Sequence, residues 1–491
     1  MPFDFTSQAK TPLLDAIRHY VNYPHAAFYT PGHKGGRGIS PALTQLLGKA
    51  VFKADLTELS GLDTLFAPED SILEAQELAA AAFGAEKTWF LVNGSSAGIM
   101  AAILATCGSG DKIIMPRNVH QSAIAGLILS GAIPIFVHPE YDANLDIAHS
   151  ITAEGVATAL AQHPDAKAVM MVYPTYYGVC GDLKAIAHLV HQHDIPLLVD
   201  EAHGPHFHFH PDLPPSALSG GADLTVQSTH KVLTALTQAS MLHVQGNRID
   251  RDRVSKALQL LQSTSPSYLL LASLDAARQQ MALYGQELIS RTLQLAVDAK
   301  FQIAQIPGLK VLEFARNPGF IALDPTRLTV TVSGLGLTGF AADEILAQSG
   351  VLAELSSMQH LTFIVTLGNK PADIEQLVKN FTLLSNSTSI PDGTTLKYFN
   401  LISMPDDNEM PLISPREAFF SSTETLLFKQ TINRVSAELV CPYPPGIPIL
   451  MPGELITNST LEYLLTIQAS GGIISGCTDT TLKTLKVVKK C

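Results

Sequence analysis

Ile195-Pro-Leu-Leu-Val-Asp-Glu-Ala-His-Gly204 and, further on, Leu224-Thr-Val-Gln-Ser-Thr-His-Lys231 read as two apolar strands, each running into residues that carry chemistry. A carboxylate such as Asp200, at the end of a buried strand, is costly unless it meets a cation or strong donors. A protonated ring nitrogen would be such a partner; a cap for the following turn is the plainer alternative. Ala202 leaves room there for a flat ring. Lys231 follows Asp200 by one crossover and one strand, among small and apolar neighbours. A lysine so placed loses its proton more easily and forms a Schiff base. The competing reading is a surface lysine that opens a helix.

Around these two stretches, Thr88 to Gly246 alternates short β-rich runs with helical ones. Strands are expected at 89–92, 112–115, 133–137, 168–173, 196–200, 224–227 and 240–244, and helices at 97–106, 121–129 and 183–192. Such alternation indicates βαβ units and a mainly parallel sheet covered on both faces. Ligands of such sheets bind beyond the carboxyl ends of the strands. One of those ends carries Asn93-Gly-Ser-Ser-Ala-Gly98, whose small residues let backbone N–H groups and two hydroxyls face a phosphate. An ordinary strand–helix turn with a serine cap is the alternative. His120 follows another strand and gains meaning only with the rest. A phosphate cradle, a ring-nitrogen carboxylate and a Schiff-base lysine, in that order, point to pyridoxal 5'-phosphate.

The flanks are organised differently. Residues 1–60 form an N-terminal segment and 61–307 the cofactor-binding large domain, in which Asp250 to Gln302 reads as long helices. A small α/β domain is expected over 308–385, with half-buried strands at 328–332 and 361–366. Ser385 to Thr395 has linker composition, and 396–491 forms a C-terminal module.

The 491 residues carry 32 Lys and Arg against 44 Asp and Glu, a formal charge of −12 that suits nucleic acid poorly. With 46% hydrophobic and 15% charged residues, the chain has a large core to bury rather than a disordered composition. No apolar run approaches the ~20 residues that span a bilayer, and the N-terminus lacks a secretory pattern. Cys107, Cys180, Cys441, Cys477 and Cys491 are odd in number and scattered, which argues for a reducing, cytoplasmic setting. His206, His208 and His210 alternate with Phe207 and Phe209, which would align three imidazoles on an extended segment. A histidine-lined loop is the simpler reading, and no metal is expected.

These residues resemble the fold-type I pyridoxal-phosphate enzymes and, among them, the Orn/Lys/Arg decarboxylase family. The resemblance runs through Tyr29-Thr-Pro-Gly-His-Lys-Gly35, Asp55-Leu-Thr-Glu58, Phe90-Leu-Val-Asn-Gly-Ser-Ser96 and Pro116-Arg-Asn-Val-His120. It continues in Tyr173-Pro-Thr-Tyr-Tyr-Gly178, Asp200-Glu-Ala-His-Gly204, Ser228-Thr-His-Lys231 and Pro442-Tyr-Pro-Pro-Gly-Ile-Pro448 with Pro452-Gly-Glu454. It implies a transferase-like large domain with smaller α+β C-terminal domains, of the short type without an N-terminal wing domain. By the same resemblance Lys231 binds the cofactor, Asp200 meets the pyridine nitrogen and His120 stacks on the ring. Ser95, Ser96, Ala97, Ala202, Ser228 and His230 complete the cofactor site, and His203 lies near the substrate's α-carboxylate or the reacting carbon.

The implied reaction is decarboxylation of a basic amino acid, arginine or lysine before ornithine, in a homodimer or larger homo-oligomer. The motif around Asp55, Glu58 and Asp63 would reach the cleft, from its own subunit or from the other subunit of a dimer. Glu58, Asp63, Glu438 and Glu454 are candidate acceptors for the substrate's distal cation, with an exposed or structural carboxylate the plainer alternative for each. Gln121, Thr64, Phe66 and Asp70 depart from the commoner family pattern and bear on substrate choice. Transamination, or a non-catalytic regulatory role, are the alternatives; retention of Lys231 and the phosphate cradle speaks against the second.

Overall fold

The computed structural model describes residues 5–388, 411–443 and 445–490. Two compact units emerge, the first from Met1–Ala105 with Leu198–Ile289, the second from Thr106–Leu197 with Ser290–Cys491.

Strands of the central sheet are β1 (Lys87–Leu91), β2 (Lys112–Pro116), β3 (Ile133–Val137), β4 (Ala168–Val172), β5 (Leu197–Asp200), β6 (Leu224–Gln227) and β7 (Ser240–Val244). In the first unit their order is β1-β7-β6-β5, and in the second β4-β2-β3. β5 and β6 are parallel, with Asp200 opposite Val226; β7 runs antiparallel to both of its neighbours, pairing Met241 with Gln227 and Phe90. β2 is parallel to both β3 and β4. Leu198, Val199, Val226, Met241 and Phe90 are fully buried, as near-continuous apolar runs in a two-sided sheet require.

The intervening helices include α1 (Ser71–Phe83), α2 (Gly94–Thr106), α3 (Gln121–Ser130) and α4 (Leu183–Gln192). α5 (Arg251–Leu261) starts where Asp250 accepts from the backbone N–H groups of Asp252 and Arg253. α6 (Tyr268–Ala304) follows as one long helix.

Within the second unit a smaller antiparallel sheet has β8 (Lys310–Val311), β9 (Arg327–Thr331), β10 (Leu355–Ser356) and β11 (His360–Ile364) in the order β8-β9-β11-β10. The expected linker begins too early. The helix Pro371–Ser387 continues through its first residues, with Ser385 donating to Pro307 O at 2.7 Å, while 389–395 lie outside the described residues. In the C-terminal module, Thr423–Leu427 pairs with Thr484–Val488, and Cys441–Tyr443 with Ile473–Ser475. Leu450, Ile456, Leu464 and Val487 form its core beside the helix Asn458–Ala469. Among the described residues no helix is long and apolar enough to cross a membrane.

Candidate active site

The connections that leave β1, β5 and β6 meet in the first unit. Ser228, just past β6, donates to Ser95 Oγ at 2.7 Å in the first turn of α2. Gly98 makes this approach possible, because a Cβ there would lie 2.6 Å from Val226 Cγ1 and 2.7 Å from Leu91 Cδ1. A smaller side chain cannot exist, so α2 settles directly onto the sheet. The turn itself is held from afar: Val92 N donates to Gln262 Oε1 at 2.7 Å, and Ser263 N to Asn93 Oδ1 at 3.3 Å.

Lys231 Nζ lies 3.1 Å from Nε2 of the buried His203. Asp200 Oδ1 accepts from Ala202 N at 3.1 Å, within the turn that also presents His203. Burial pushes the Asp200 carboxyl above the usual range, against the opposite pulls of the Lys231 charge and the Ala202 N–H. His230 Nδ1 is 3.0 Å from Ala239 O; burial holds its ring below the usual histidine range, the Ala239 bond opposes this, and the Lys231 charge adds to it.

Behind Asp200 stands a group that sequence reasoning missed. Glu201 is fully buried and accepts from Ala217 N at 2.7 Å, Gln227 Nε2 at 2.8 Å and Thr225 Oγ1 at 2.9 Å. Burial raises its carboxyl to about 7 despite those three donors. The folded state therefore binds the proton more tightly than the unfolded chain, and stability falls as pH rises from the ordinary glutamate range to about 7. Relative to Glu201→Gln, the wild type is expected to lose about 3 kcal/mol across that window. Urea unfolding of both proteins at a series of pH values measures it, and parallel profiles would contradict the assignment.

Other expected site residues have other partners. Asp63 accepts from Thr64 N at 2.8 Å, Ile72 N at 2.9 Å, and Glu69 N and Asp70 N at 3.0 Å, so it ties down the entry to α1. Asp63→Ala is expected to cost roughly 3 kcal/mol of stability, read from urea unfolding, because several charge-assisted bonds are lost together. Glu58 accepts from Leu65 N at 2.8 Å.

In the second unit Glu438 accepts from Thr478 N at 2.8 Å and Lys486 N at 2.7 Å. Glu454 pairs with Arg117 at 3.1 Å and accepts from Met451 N at 2.9 Å. Arg117 also donates to Pro448 O at 2.8 Å and Ile449 O at 3.1 Å, so it clamps the C-terminal segment to the end of β2. Asp63, Glu438 and Glu454, expected as acceptors for a substrate cation, are thus engaged by the fold itself. His120 caps α3, its Nδ1 accepting from Ser122 N at 3.2 Å. Gly446 passes close to it; a Cβ there would lie 3.3 Å from His120 Nε2.

The alternating histidine segment is not extended. Phe207–Phe209 forms a 3-10 turn with Phe207 buried, so the period-2 reading that aligned His206, His208 and His210 fails. Among the described residues no group of three or more His, Cys, Asp or Glu side chains is placed to hold a metal ion.

Lys231 beside the buried His203, the buried Asp200 carboxylate and the serine hydroxyls at the start of α2 are carried by a fold-type I α/β framework. The solved structure of lysine decarboxylase A from Pseudomonas aeruginosa shares this fold, with a TM-score of 0.85 at 23% identity over 99% of this chain and 81% of that one. Family models for the Orn/Lys/Arg decarboxylase major domain and C-terminal domain match residues 11–373 and 401–479, so the chain belongs to the Orn/Lys/Arg decarboxylase family. It is 42% identical to the arginine decarboxylase of Bacillus subtilis (strain 168), over 99% of both chains. It is 25% identical to the constitutive lysine decarboxylase of Escherichia coli (strain K12), over 95% of this chain and 79% of that protein.

Proposed function

We propose that the protein decarboxylates arginine with pyridoxal 5'-phosphate. The observation that carries this reading is the meeting of Lys231, His203 and Asp200 with Ser95 and Ser228 in one unit. The donor set fits the cofactor. Ser95, Ser96 and Ser228, with the N-terminus of α2, suit its phosphate; Ala202 leaves its ring room. Asp200 suits its ring nitrogen, since a buried carboxylate with a raised pKa gains most from a cationic partner. Lys231 would hold its carbonyl carbon.

When bound, the cofactor supplies an electron sink for the pair left at Cα as carbon dioxide departs. The chain does the rest. Asp200 holds a proton at the ring nitrogen. His203, buried next to Lys231, moves a proton between its Nε2 and Nζ and keeps the lysine amine ready to accept or release one. Arginine is favoured over lysine by the relative at 42% identity.

We further infer a cytoplasmic homodimer. Tyr23, Phe28, Leu46 and Leu47 of the N-terminal segment are more than half exposed, an apolar set that a second copy would cover; sedimentation should then give twice the chain mass. For the reaction, the protein loaded with pyridoxal phosphate is incubated with equal arginine, lysine and ornithine, beside Lys231→Ala. Agmatine as the main product, absent from the variant, is expected. Cadaverine or putrescine in its place would overturn the substrate, and stoichiometric keto acid would overturn the reaction.

A further inference from the structure

The second unit contains a cavity of about 140 Å³ whose wall includes none of Lys231, His203, Asp200, Ser95 or Ser228. Its walls come from the hairpin Tyr141–Asp142 and Ile147–Ala148, the segment after β4, the small antiparallel sheet and the C-terminal module. Tyr141, Tyr176, Tyr177, Tyr443 and Tyr463 line it together with apolar side chains such as Phe340. Asp146 is the one charged residue on its wall among the described residues.

Asp146 is not occupied in building its own turn. Asn144 N and Leu145 N both donate to Asp142 Oδ1, at 2.9 and 3.0 Å, and the Leu145 carbonyl is taken by His360 Nε2. The hairpin is thereby fixed through Asp142 and His360. The Asp146 carboxylate receives one hydrogen bond among the described residues, from the Tyr141 hydroxyl. A carboxylate facing an aromatic cavity with no cation on the wall is electrostatically incomplete, and burial raises its carboxyl to about 6.

We propose that this cavity is a binding site for a small aliphatic cation, a guanidinium or ammonium group on a short apolar stem. The head group would pair with Asp146 and lie against tyrosine faces, which attract cations through the ring quadrupole. The stem would cover the apolar wall, and the volume suits a ligand of about benzene size rather than a nucleotide or a peptide. A guanidinium matches the two carboxylate oxygens in plane; an ammonium would use one. The site does not depend on which reaction the protein catalyses.

The test titrates n-butylguanidinium into the protein loaded with pyridoxal phosphate by calorimetry, with neutral n-butylurea as the shape-matched control. The wild type is expected to bind the cation and not the urea. Asp146→Asn keeps an acceptor for Tyr141 and is expected to weaken one binding event at least tenfold while turnover stays within twofold. Ser356→Phe narrows the cavity without altering the carboxylate and should abolish the same event, which keeps the test decisive if the first variant fails to fold. Tyr141→Phe frees the carboxylate from the hydrogen bond that Tyr141 donates and should bind at least as tightly. No binding at millimolar cation, equal binding of the urea, or unchanged affinity in Asp146→Asn or Ser356→Phe would each overturn the site; the last would place the cation in the catalytic centre.

Discussion

Lys231→Ala is expected to lower kcat by at least about 10³-fold, while the protein folds normally. The side chain is half-buried and its amine is 3.1 Å from His203 Nε2, so the substitution removes a nucleophile together with its proton partner. The surface-lysine reading makes the opposite forecast: an exposed helix lysine can be truncated at a cost within about 0.5 kcal/mol and without effect on turnover. A second readout separates the two without any turnover. Borohydride treatment, which fixes a lysine-bound cofactor to the chain, should add the cofactor mass to the peptide containing Lys231 in the wild type and add nothing in the variant. Retained labelling elsewhere in the chain would move the assignment to another lysine.

Asp200→Ala is expected to cost about 10²–10⁴-fold in kcat. Here the stability readout carries the sign. Asp200 is a buried carboxylate whose pKa is raised, so in the cofactor-free protein its charge is a burden above the ordinary aspartate range. Removing it should leave the cofactor-free protein as stable or more stable near neutral pH. Loss of activity without loss of stability is the result expected if the carboxylate serves the ring nitrogen. A variant that unfolds readily yet turns over normally when folded would instead make Asp200 a cap, since it accepts from Ala202 N.

Much of this could be read in advance. Strands of the central sheet fall within a residue or two of their expected positions, because two-sided burial writes each as an apolar run bounded by turn residues. Asp200 and Lys231 stood out in the sequence for the same reason, because one ends a strand and the other follows one on the ligand side of such sheets, whereas the expectation for His203 came with the family resemblance. What stayed hidden depends on contacts distant in sequence. Nothing in the local pattern shows that Gln262 secures the turn after β1, or that Gly98 is small because Val226 and Leu91 press on it. Likewise the local pattern does not show what engages the carboxylates of Asp63 and Glu454, backbone N–H groups in one case and Arg117 in the other. The histidine alternation marks no strand: Phe207 is buried within a short 3-10 turn, in keeping with the simpler loop reading.

The reversed direction of β7 has a consequence for how the site assembles. Because β7 returns antiparallel beside β6, pairing Gln227 with Met241, Lys231 lies inside a short hairpin connection. Ser95 and Ser228, by contrast, are 133 residues apart in sequence. Closing the longer loop costs about 2 kcal/mol more chain entropy than closing the hairpin. The lysine side of the site is therefore cheap to form and local, whereas the serine side waits on long-range closure. During refolding, protection of amides in 224–244 should precede protection in the first turn of α2, so the nucleophile is in place before the cradle that retains its cofactor.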